Sequence, residues 1–283
     1  MKIVYLDQLH WIEVAKHING ASCKPGTREA LSYMKELSSS KKAVFPLSLS
    51  HYYETLKHLN HENRKRLAET MKLLSHNFTI ASTEKIVAHE CRKALAKLIK
   101  IDYSDQEFNF LGKGFEHALG KSFGWSLSWP TPELIPEDVR LKIENDLWNI
   151  LEEAFLSGVL KIGNNKYPFH KKIDFSPENK FKAHLEEWKG CASSMTANEL
   201  QRKIYSITFT DIYKPLCEAV YQLKIPLKKL ENIGDKGAYF LLNAMPTRKV
   251  DMHLREQWAK NGQLKPKQSD LNDWIYIGAA ICY

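Results

Sequence analysis

KIVYLDQLHW, residues 2–11, begins with an apolar run, Ile3–Leu6, that leads directly into the acidic residue Asp7. A short apolar run bounded by polar residues is typical of a buried strand. The segment that follows, Gln8–His17, has the spacing of apolar residues that predicts a helix. Because a buried strand end offers a carboxylate little solvent, Asp7 is the first candidate for a functional site.

The same order of segments recurs twice in the first part of the chain. Ala43–Leu47 is predicted as a second strand and is followed by a helix from about Ser50. Phe78–Ala81 is predicted as a third strand and is followed by a helix that reaches about Ile99. Strands that alternate with helices at this spacing indicate an α/β fold, in which a central parallel sheet is covered by helices on both faces.

The chain between residues 102 and 244 has a different character. It contains few strand-like runs, and Thr196 and Glu199 have the spacing of a helix capping box. We therefore expect a mainly α-helical insertion at 102–244. The sheet domain is then made from two parts, 1–101 and 245–283, on either side of this insertion.

Composition and charge limit the class of protein. Lys and Arg total 41 against 33 acidic residues, a formal charge of +8, which favours a polyanionic partner such as nucleic acid. No apolar run reaches the roughly 18 residues of a membrane span, and the N-terminus resembles a strand rather than a signal peptide. The five cysteines include no CxxC pair, so no cysteine zinc site is expected. We expect a cytoplasmic protein that does not enter a membrane.

Two acids are expected at one edge of the predicted sheet. In an open parallel sheet, ligands bind beyond the carboxyl ends of the strands. Asp7 follows the first predicted strand directly, and Glu54 lies in the helix that follows the second. Both carboxylates are therefore expected at the same edge.

The helix that carries Glu54 is rich in histidine. In the stretch HYYETLKHLNH, residues 51–61, a continuous helix places Glu54 on one arc with His51, His58 and His61. Three interpretations of this arc are open at this point: a solvated face, a Glu54 side chain that faces a metal ion, and a His-rich zinc site.

The last helix carries two further acids. In SDLNDWIYIGAAICY, residues 269–283, nearly every residue after Asp273 is apolar, and Asp273 aligns with Ile277 and Ala280. We expect this helix to be buried on most sides, so that Asp273 needs a hydrogen-bonding partner or a cation. Asp270 lies one turn earlier on the same face. The alternative for both acids is stabilisation of the helix start.

These acids suggest a common chemical role. Hydrolysis of a phosphodiester needs an activated water and neutralisation of charge on the attacking and leaving oxygens. Mg²⁺ or Mn²⁺ ions held by carboxylate oxygens supply both. Carboxylates brought together from distant segments repel one another unless a cation lies between them. We therefore predict that Asp7, Glu54 and Asp273 converge on a Mg²⁺ or Mn²⁺ site.

At these three places the sequence resembles a PIN domain, the fold of a large family of metal-dependent ribonucleases. The matching motifs are IVYLDQL at 3–9, PLSLSHYYETL at 46–56 and SDLNDWIYIGAAICY at 269–283. The resemblance implies a PIN-like three-layer fold with a central parallel sheet. Family members usually continue past the third motif into a last strand with a further acid, whereas this sequence ends at Tyr283. A minimal PIN domain also lacks the helical insertion.

The resemblance further implies an activity and a set of site residues. Asp7, Glu54 and Asp273 are expected to be catalytic acids that bind the metal, with Asp270 as an accessory metal ligand. The implied reaction is the cleavage of RNA with Mg²⁺ or Mn²⁺. Many members of the family are toxins or host-restricting effectors, and others process RNA. An antitoxin or another protein of an effector complex is therefore an expected partner beside RNA.

A basic segment precedes the third motif. Only Asp251 and Glu256 oppose six basic side chains between residues 246 and 268. The six are Arg248, Lys249, Arg255, Lys260, Lys265 and Lys267. We predict that Arg248, Lys249, Arg255, Lys265 and Lys267 bind the RNA backbone, because phosphate contacts position a nucleic acid without reading its sequence. The alternative is an ordinary solvated helix and loop.

The leading hypothesis is therefore a metal-dependent ribonuclease with a toxin, defence or RNA-processing role. A second hypothesis is a non-catalytic PIN-like module that binds RNA or a protein. A third is a hydrolase of another phosphate ester that uses the same acids.

Overall fold

A computed structural model describes residues 1–58, 60–104, 108–120, 135–162, 164–168, 176–230, 233–261, 263–267 and 270–283. Most of this part of the chain is helical. The helices are α1 (Gln8–Ile18), α2 (Thr27–Ser39), α3 (Leu49–Lys57), α4 (His61–Ser75), α5 (Thr83–Ile99), α6 (Gly114–Leu119), α7 (Glu137–Ser157), α8 (Ser176–Ala192), α9 (Ala197–Gln222), α10 (Gly234–Ala244), α11 (Pro246–Lys260) and α12 (Asp270–Cys282). Across the described ranges, no helix is both long and apolar enough to cross a membrane.

In the described ranges, the strands are short and pair two at a time. They are β1 (Lys2–Ile3), β2 (Ala43–Val44), β3 (Phe78–Ile80), β4 (Leu111–Lys113), β5 (Val159–Ile162) and β6 (Asn165–Pro168). β1 and β2 are parallel, in the register Lys2 to Ala43 and Ile3 to Val44. β3 pairs with β4, and β5 pairs with β6, both antiparallel.

The predicted fold class is wrong. The structure is mostly helical, and its small sheets do not form the central parallel sheet of a three-layer, PIN-like α/β fold. Of the apolar runs predicted as strands, Ala43–Leu47 and Phe78–Ala81 are largely buried and Ile3–Leu6 is half-buried, but all three pair only briefly. Leu47, for example, has a single parallel bridge to Thr79. A run of four or five apolar residues does not distinguish a strand of a large sheet from a buried extended link between helices, and here the helices supply the core.

The chain forms two compact units. Unit 1 comprises Met1–Ser82 and Asn109–Ile173, and unit 2 comprises Thr83–Phe108 and Asp174–Tyr283. These limits differ from the predicted ones at 101/102 and 244/245. The difference arises because α5, which was assigned to the sheet domain, packs on α9 and α10 of unit 2. The stretch 102–244 is therefore shared by both units, and parts of it (105–107, 121–134, 163, 169–175 and 231–232) lie outside the described residues.

The core of unit 1 contains packed aromatic rings and encloses an acid. The Tyr52 ring packs edge-on against Phe115 at 4.8 Å between centroids. The Tyr52 hydroxyl donates to Oε1 of Glu152 at 2.7 Å, and Lys72 lies 3.5 Å from Oε2 of the same carboxylate. Because Glu152 is only 2% exposed, these two partners compensate for the lost hydration of its charge.

A buried arginine lies near the end of α7. The Arg64 Nε donates to the Ser157 carbonyl, and its Nη1 donates to the His58 carbonyl, each at 2.6 Å. Gly158 ends α7 with a φ of 70°. A Cβ at Gly158 would lie 2.6 Å from the Arg64 Cζ, so both the backbone conformation and the arginine require glycine there.

The core of unit 2 joins α5, α9 and α10 through residues such as Leu95, Ile212 and Leu241. It also contains the buried acid Asp251 on α11, whose side chain is hydrogen-bonded to two other helices. The Asp251 carboxylate accepts a hydrogen bond from the Trp274 indole of α12 at 2.5 Å and another from Thr208 of α9 at 3.5 Å. Asp251 therefore has a structural role. The sequence indicated no such role, since it showed Asp251 simply as one of two acids within the basic segment.

Candidate functional site

Asp7 lies at the first turn of α1 in unit 1. Its backbone carbonyl accepts hydrogen bonds from His10 N at 2.9 Å and Trp11 N at 3.4 Å, which starts the helix. Its side chain is exposed and makes no capping hydrogen bond. The common use of an aspartate at this position, capping of the first free N–H groups, is thus absent here. The carboxylate faces solvent at the helix end where the dipole favours negative charge.

His51 on α3 fixes the backbone beside Asp7. Its Nδ1 accepts from Ser48 N at 2.8 Å, so its Nε2 carries the proton and donates to the Leu6 carbonyl at 2.7 Å. Burial lowers the pKa of His51 to about 4, against the opposing effects of the Leu6 hydrogen bond and the charge of Asp7. The imidazole is therefore neutral near pH 7, and both its nitrogens are used within the protein.

A second hydrogen bond lies on the other side of Asp7. The buried Gln8 side chain donates from Nε2 to Oγ1 of Thr55 at 3.0 Å. Thr55 directly follows Glu54, which is half-buried on α3. The bonds Leu6–His51 and Gln8–Thr55 therefore hold the segment of Asp7 against the segment of Glu54. Two of the four predicted acids thus lie on segments that unit 1 joins directly.

The predicted histidine arc is wrong. α3 ends at Lys57, and His58 follows in an extended conformation with a ψ of 116°. A new helix starts at His61, where the Asn60 side chain accepts a hydrogen bond from Asn63 N. Residues 51–61 therefore do not share one helix, and Leu59 lies outside the described residues. The solvated-face interpretation also fails for His51, which is 1% exposed.

Asp270 and Asp273 lie on α12 in unit 2. Asp270 accepts a hydrogen bond from Lys267 N at 2.7 Å, as expected of an acid at a helix start. Asp273 is exposed, so the expectation that it lies on a buried stripe is wrong. The buried face of α12 instead includes Asn272, Tyr276 and Ala279, at the i, i+4 and i+7 positions. Ser269, which begins the third motif, lies outside the described residues.

The fit of a divalent cation can be judged from the donors in unit 1. Mg²⁺ is commonly held by one or two carboxylates and keeps several waters, so the side chains of Asp7 and Glu54 are of the chemical type that it requires. Within the described ranges, no group of three or more His, Cys, Asp or Glu side chains is placed to hold a metal ion. The convergence of Asp7, Glu54 and Asp273 would join unit 1 to unit 2, and it stays a prediction, as does the accessory role of Asp270.

The basic residues on α11 divide between two faces of the helix. Arg255 lies 3.0 Å from Asp251 and 2.8 Å from Asp211, and its side chain is only 13% exposed. Despite Arg255, burial raises the pKa of Asp211. Arg248 is on the same face, half-buried, and its Nε has no hydrogen-bond partner among the described residues. The geometry thus does not support a role for Arg255 in RNA binding.

The lysines have a different environment. Lys249, Lys265 and Lys267 are exposed, as RNA binding requires. Lys249 and Lys260 are 11 residues apart, which places them about 20° apart around α11, away from the buried arginine face. Lys260 is paired with Glu256 at 2.5 Å. The predicted role of the three exposed lysines in binding RNA stays a prediction.

Lys249 lines a cavity of about 370 Å³ between α9 and α11, here called the α9–α11 cleft. Its floor contains Leu200 and Ile204, which are 7% and 5% exposed. Its rim includes Asn198 and Gln201 on α9, together with Lys249 and His253 on α11. The cleft therefore combines an apolar base with polar groups around its edge, the usual composition of a small-molecule site.

Of the five residues predicted to bind RNA, Lys249 lines this cleft. The capping box of Thr196 and Glu199, which the structure confirms, fixes where α9 begins and so which residues share its first turns. From that start, Asn198 and Gln201 are predicted on one face. Nothing local to the sequence shows that this face lies against α11.

No protein-family model, no curated protein and no solved structure matches this chain.

Proposed function

We propose that the protein is a metal-dependent ribonuclease in which Asp7 and Glu54 hold Mg²⁺ or Mn²⁺. The observation that carries this proposal is the pair of hydrogen bonds, Leu6–His51 and Gln8–Thr55, on either side of Asp7. They hold the segments of two acids together, and the three short motifs that suggested the activity include both acids. When bound, the cation supplies an activated water and neutralises charge on the phosphodiester.

The roles of the protein groups follow from their environments. The Asp7 carboxylate is exposed and makes no capping bond, so a cation and an RNA phosphate can reach it from solvent. Glu54 supplies the second oxygen donor. His51 is neutral and bonded through both nitrogens, which makes it a positioning residue that fixes the backbone beside Asp7. The exposed lysines of unit 2 are suited to bind the RNA backbone by charge.

The test is cleavage of end-labelled RNA from a mixed pool by the full chain. We expect cleavage with Mg²⁺ or Mn²⁺ and none with EDTA. Thermal melts in both buffers separate loss of cleavage from loss of folding. Cleavage that persists in EDTA, or no cleavage with either metal, would overturn the proposal.

A second candidate function is RNA binding without cleavage. The observation that favours it is the α9–α11 cleft, whose polar rim and exposed Lys249 lie in unit 2 and do not depend on the acids of unit 1. Tight, salt-dependent binding of RNA that is never cut, with either metal, is the result expected of this candidate.

A further inference from the structure

The α9–α11 cleft is a preformed cavity within one unit. Its volume of about 370 Å³ lies near the lower end of the range of roughly 300–1,000 Å³ for small-molecule sites. Its walls are α9, which is 26 residues long, and α11, which is 15 residues long. The Thr196–Glu199 capping box anchors the end of α9 that borders the cleft. A ligand therefore meets walls that are already in place.

The floor suits the flat face of an aromatic ring. Leu200 and Ile204 are buried, and Met252 beside them is half-buried. Tyr205 also lines the cleft, and its ring is fixed on one side by Tyr239, at 4.2 Å between centroids. On the other side, its hydroxyl accepts a hydrogen bond from Asn243 Nδ2 at 3.0 Å. The floor thus offers apolar surface and a positioned aromatic ring.

The rim has unused hydrogen-bonding groups. In the part of the chain that the structure describes, the side chains of Asn198, Gln201, Lys249 and His253 make no hydrogen bond or ion pair, although all four line one cavity. A carboxamide offers a donor and an acceptor side by side, the pattern that pairs with the edge of a nucleobase. Asn198 and Gln201 are one turn apart, so both can reach a single planar ligand.

The charge of the cleft suits one anionic group. Glu256 is neutralised by Lys260 at 2.5 Å, which leaves Lys249 as the cation of the rim that has no acidic partner in the described structure. An ammonium group binds phosphate as a point charge and needs no fixed geometry. A ligand with one planar polar ring and one phosphate thus matches the floor, the rim and the charge together.

We infer that the α9–α11 cleft binds a single nucleotide, with its base on the Leu200–Ile204 floor and its phosphate at Lys249. The inference rests on the proposed function in taking RNA as the substrate, and it adds a site for an unpaired nucleotide that is separate from the acids. The same chemistry can come from a free mononucleotide or from an unpaired nucleotide within an RNA chain. A base in a duplex is stacked and paired, and so cannot enter the cleft.

The test is equilibrium binding to the full chain in EDTA, so that metal-dependent cleavage does not consume the ligand. The ligands are the four nucleoside monophosphates, inorganic phosphate, an unpaired eight-nucleotide RNA and a duplex of the same length. The variants are Gln201→Ala and Lys249→Ala, with Lys214→Ala as the matched control. Lys214 is an exposed lysine on α9 that does not line the cleft.

We expect Gln201→Ala and Lys249→Ala each to weaken binding of the unpaired RNA about tenfold, and Lys214→Ala to leave it unchanged. If the same substitutions weaken mononucleotide binding, free nucleotides are ligands of the cleft. If they weaken RNA binding alone, the ligand is an unpaired nucleotide within an RNA chain. Equal affinity of both cleft variants and the parent for every ligand would overturn the inference, as would tighter binding of the duplex than of unpaired RNA. If the parent cuts RNA while the cleft variants bind normally, only the inference fails. If the variants lose binding and the parent never cuts, only the nuclease proposal fails.

Discussion

The Nε2 of His51 lies 2.7 Å from the carbonyl oxygen of Leu6, the residue before Asp7. This hydrogen bond joins the first turn of α3 to the end of the first extended segment, which are 45 residues apart in sequence. Because the imidazole is 1% exposed, its protonation state is coupled to the folding of unit 1.

Stability is expected to fall as the pH is lowered from about 6.5 to about 4. The pKa of His51 is depressed from 6.5 to about 4, so the unfolded chain takes up a proton before the folded protein does. The contribution of neutral His51 to the free energy of unfolding is complete above pH 6.5 and is lost as the pH falls through 4. The free energy of unfolding decreases by up to about 3 kcal/mol over this range. Urea unfolding at several pH values would measure it. His51→Gln should flatten the dependence of stability on pH in this range. An unchanged dependence would show that His51 is not the group responsible.

Asp7→Asn should abolish cleavage and leave the fold intact. Asparagine keeps the shape of the side chain and removes the charge that attracts the cation, so we expect a loss of roughly 100-fold or more in turnover. Glu54→Gln should behave in the same way. Glu13→Gln is the control, because Glu13 is on the same helix and pairs with Lys16 and the backbone of Lys24, away from α3. Labelled RNA and thermal melts give the two readouts.

Asp273→Asn tests whether unit 2 contributes to the metal site. Asp273 is exposed, and a thermal melt of the variant separates loss of the site from loss of folding. Loss of cleavage as large as that of Asp7→Asn would support the predicted convergence. A folded Asp273→Asn protein that cuts as fast as the parent would remove this residue from the site.

Gly158→Ala should destabilise the protein by about 3 kcal/mol. The alanine meets two penalties: a φ of 70° and a Cβ 2.6 Å from the Arg64 guanidinium, which two carbonyls hold in place. Gly20→Ala separates these terms, since Gly20 has the same φ of 70° and nothing within 4 Å of its Cβ. Gly20→Ala should lower the free energy of unfolding, measured in urea, by about 1 kcal/mol. Equal costs for both would show that the contact with Arg64 is unimportant.

Arg255→Ala should reduce stability more than it reduces RNA binding. It leaves the Asp251 carboxylate, 6% exposed, without its ion-pair partner, which we expect to cost about 3 kcal/mol. Lys260→Ala breaks an exposed pair and should cost less than about 1 kcal/mol. Denaturant unfolding compares the two variants directly.

Changing Lys265 and Lys267 together to alanine should weaken RNA binding and reduce its dependence on salt. Each lost phosphate contact lowers the slope of log K against log salt concentration by about 1. Fluorescence anisotropy over a range of salt concentrations measures the slope. A weaker affinity with an unchanged slope would show that these lysines do not contact phosphates.

Much of the local structure was predictable because its causes are local. The short strands β1, β2 and β3 overlap the apolar runs, and the Thr196–Glu199 capping box starts α9 as expected. The fold class was not predictable in this way. Whether Ala43–Leu47 pairs over its length in a broad sheet, or only at Ala43, Val44 and Leu47, depends on neighbours far away in sequence.

Three features could be read from the residues alone: the starts of α1 and α9, the place of Asp7 at a helix start and the basic character of the protein. Hydrogen bonds and dihedral preferences that act within about one helical turn decide these features. Long-range packing instead places His51 against Leu6, leaves Asp273 exposed, and brings Asn198 and Gln201 into one cleft with Lys249. These features depend on which helical faces pack together, and a polar residue such as His51 carries no local signal of the distant segment that buries it.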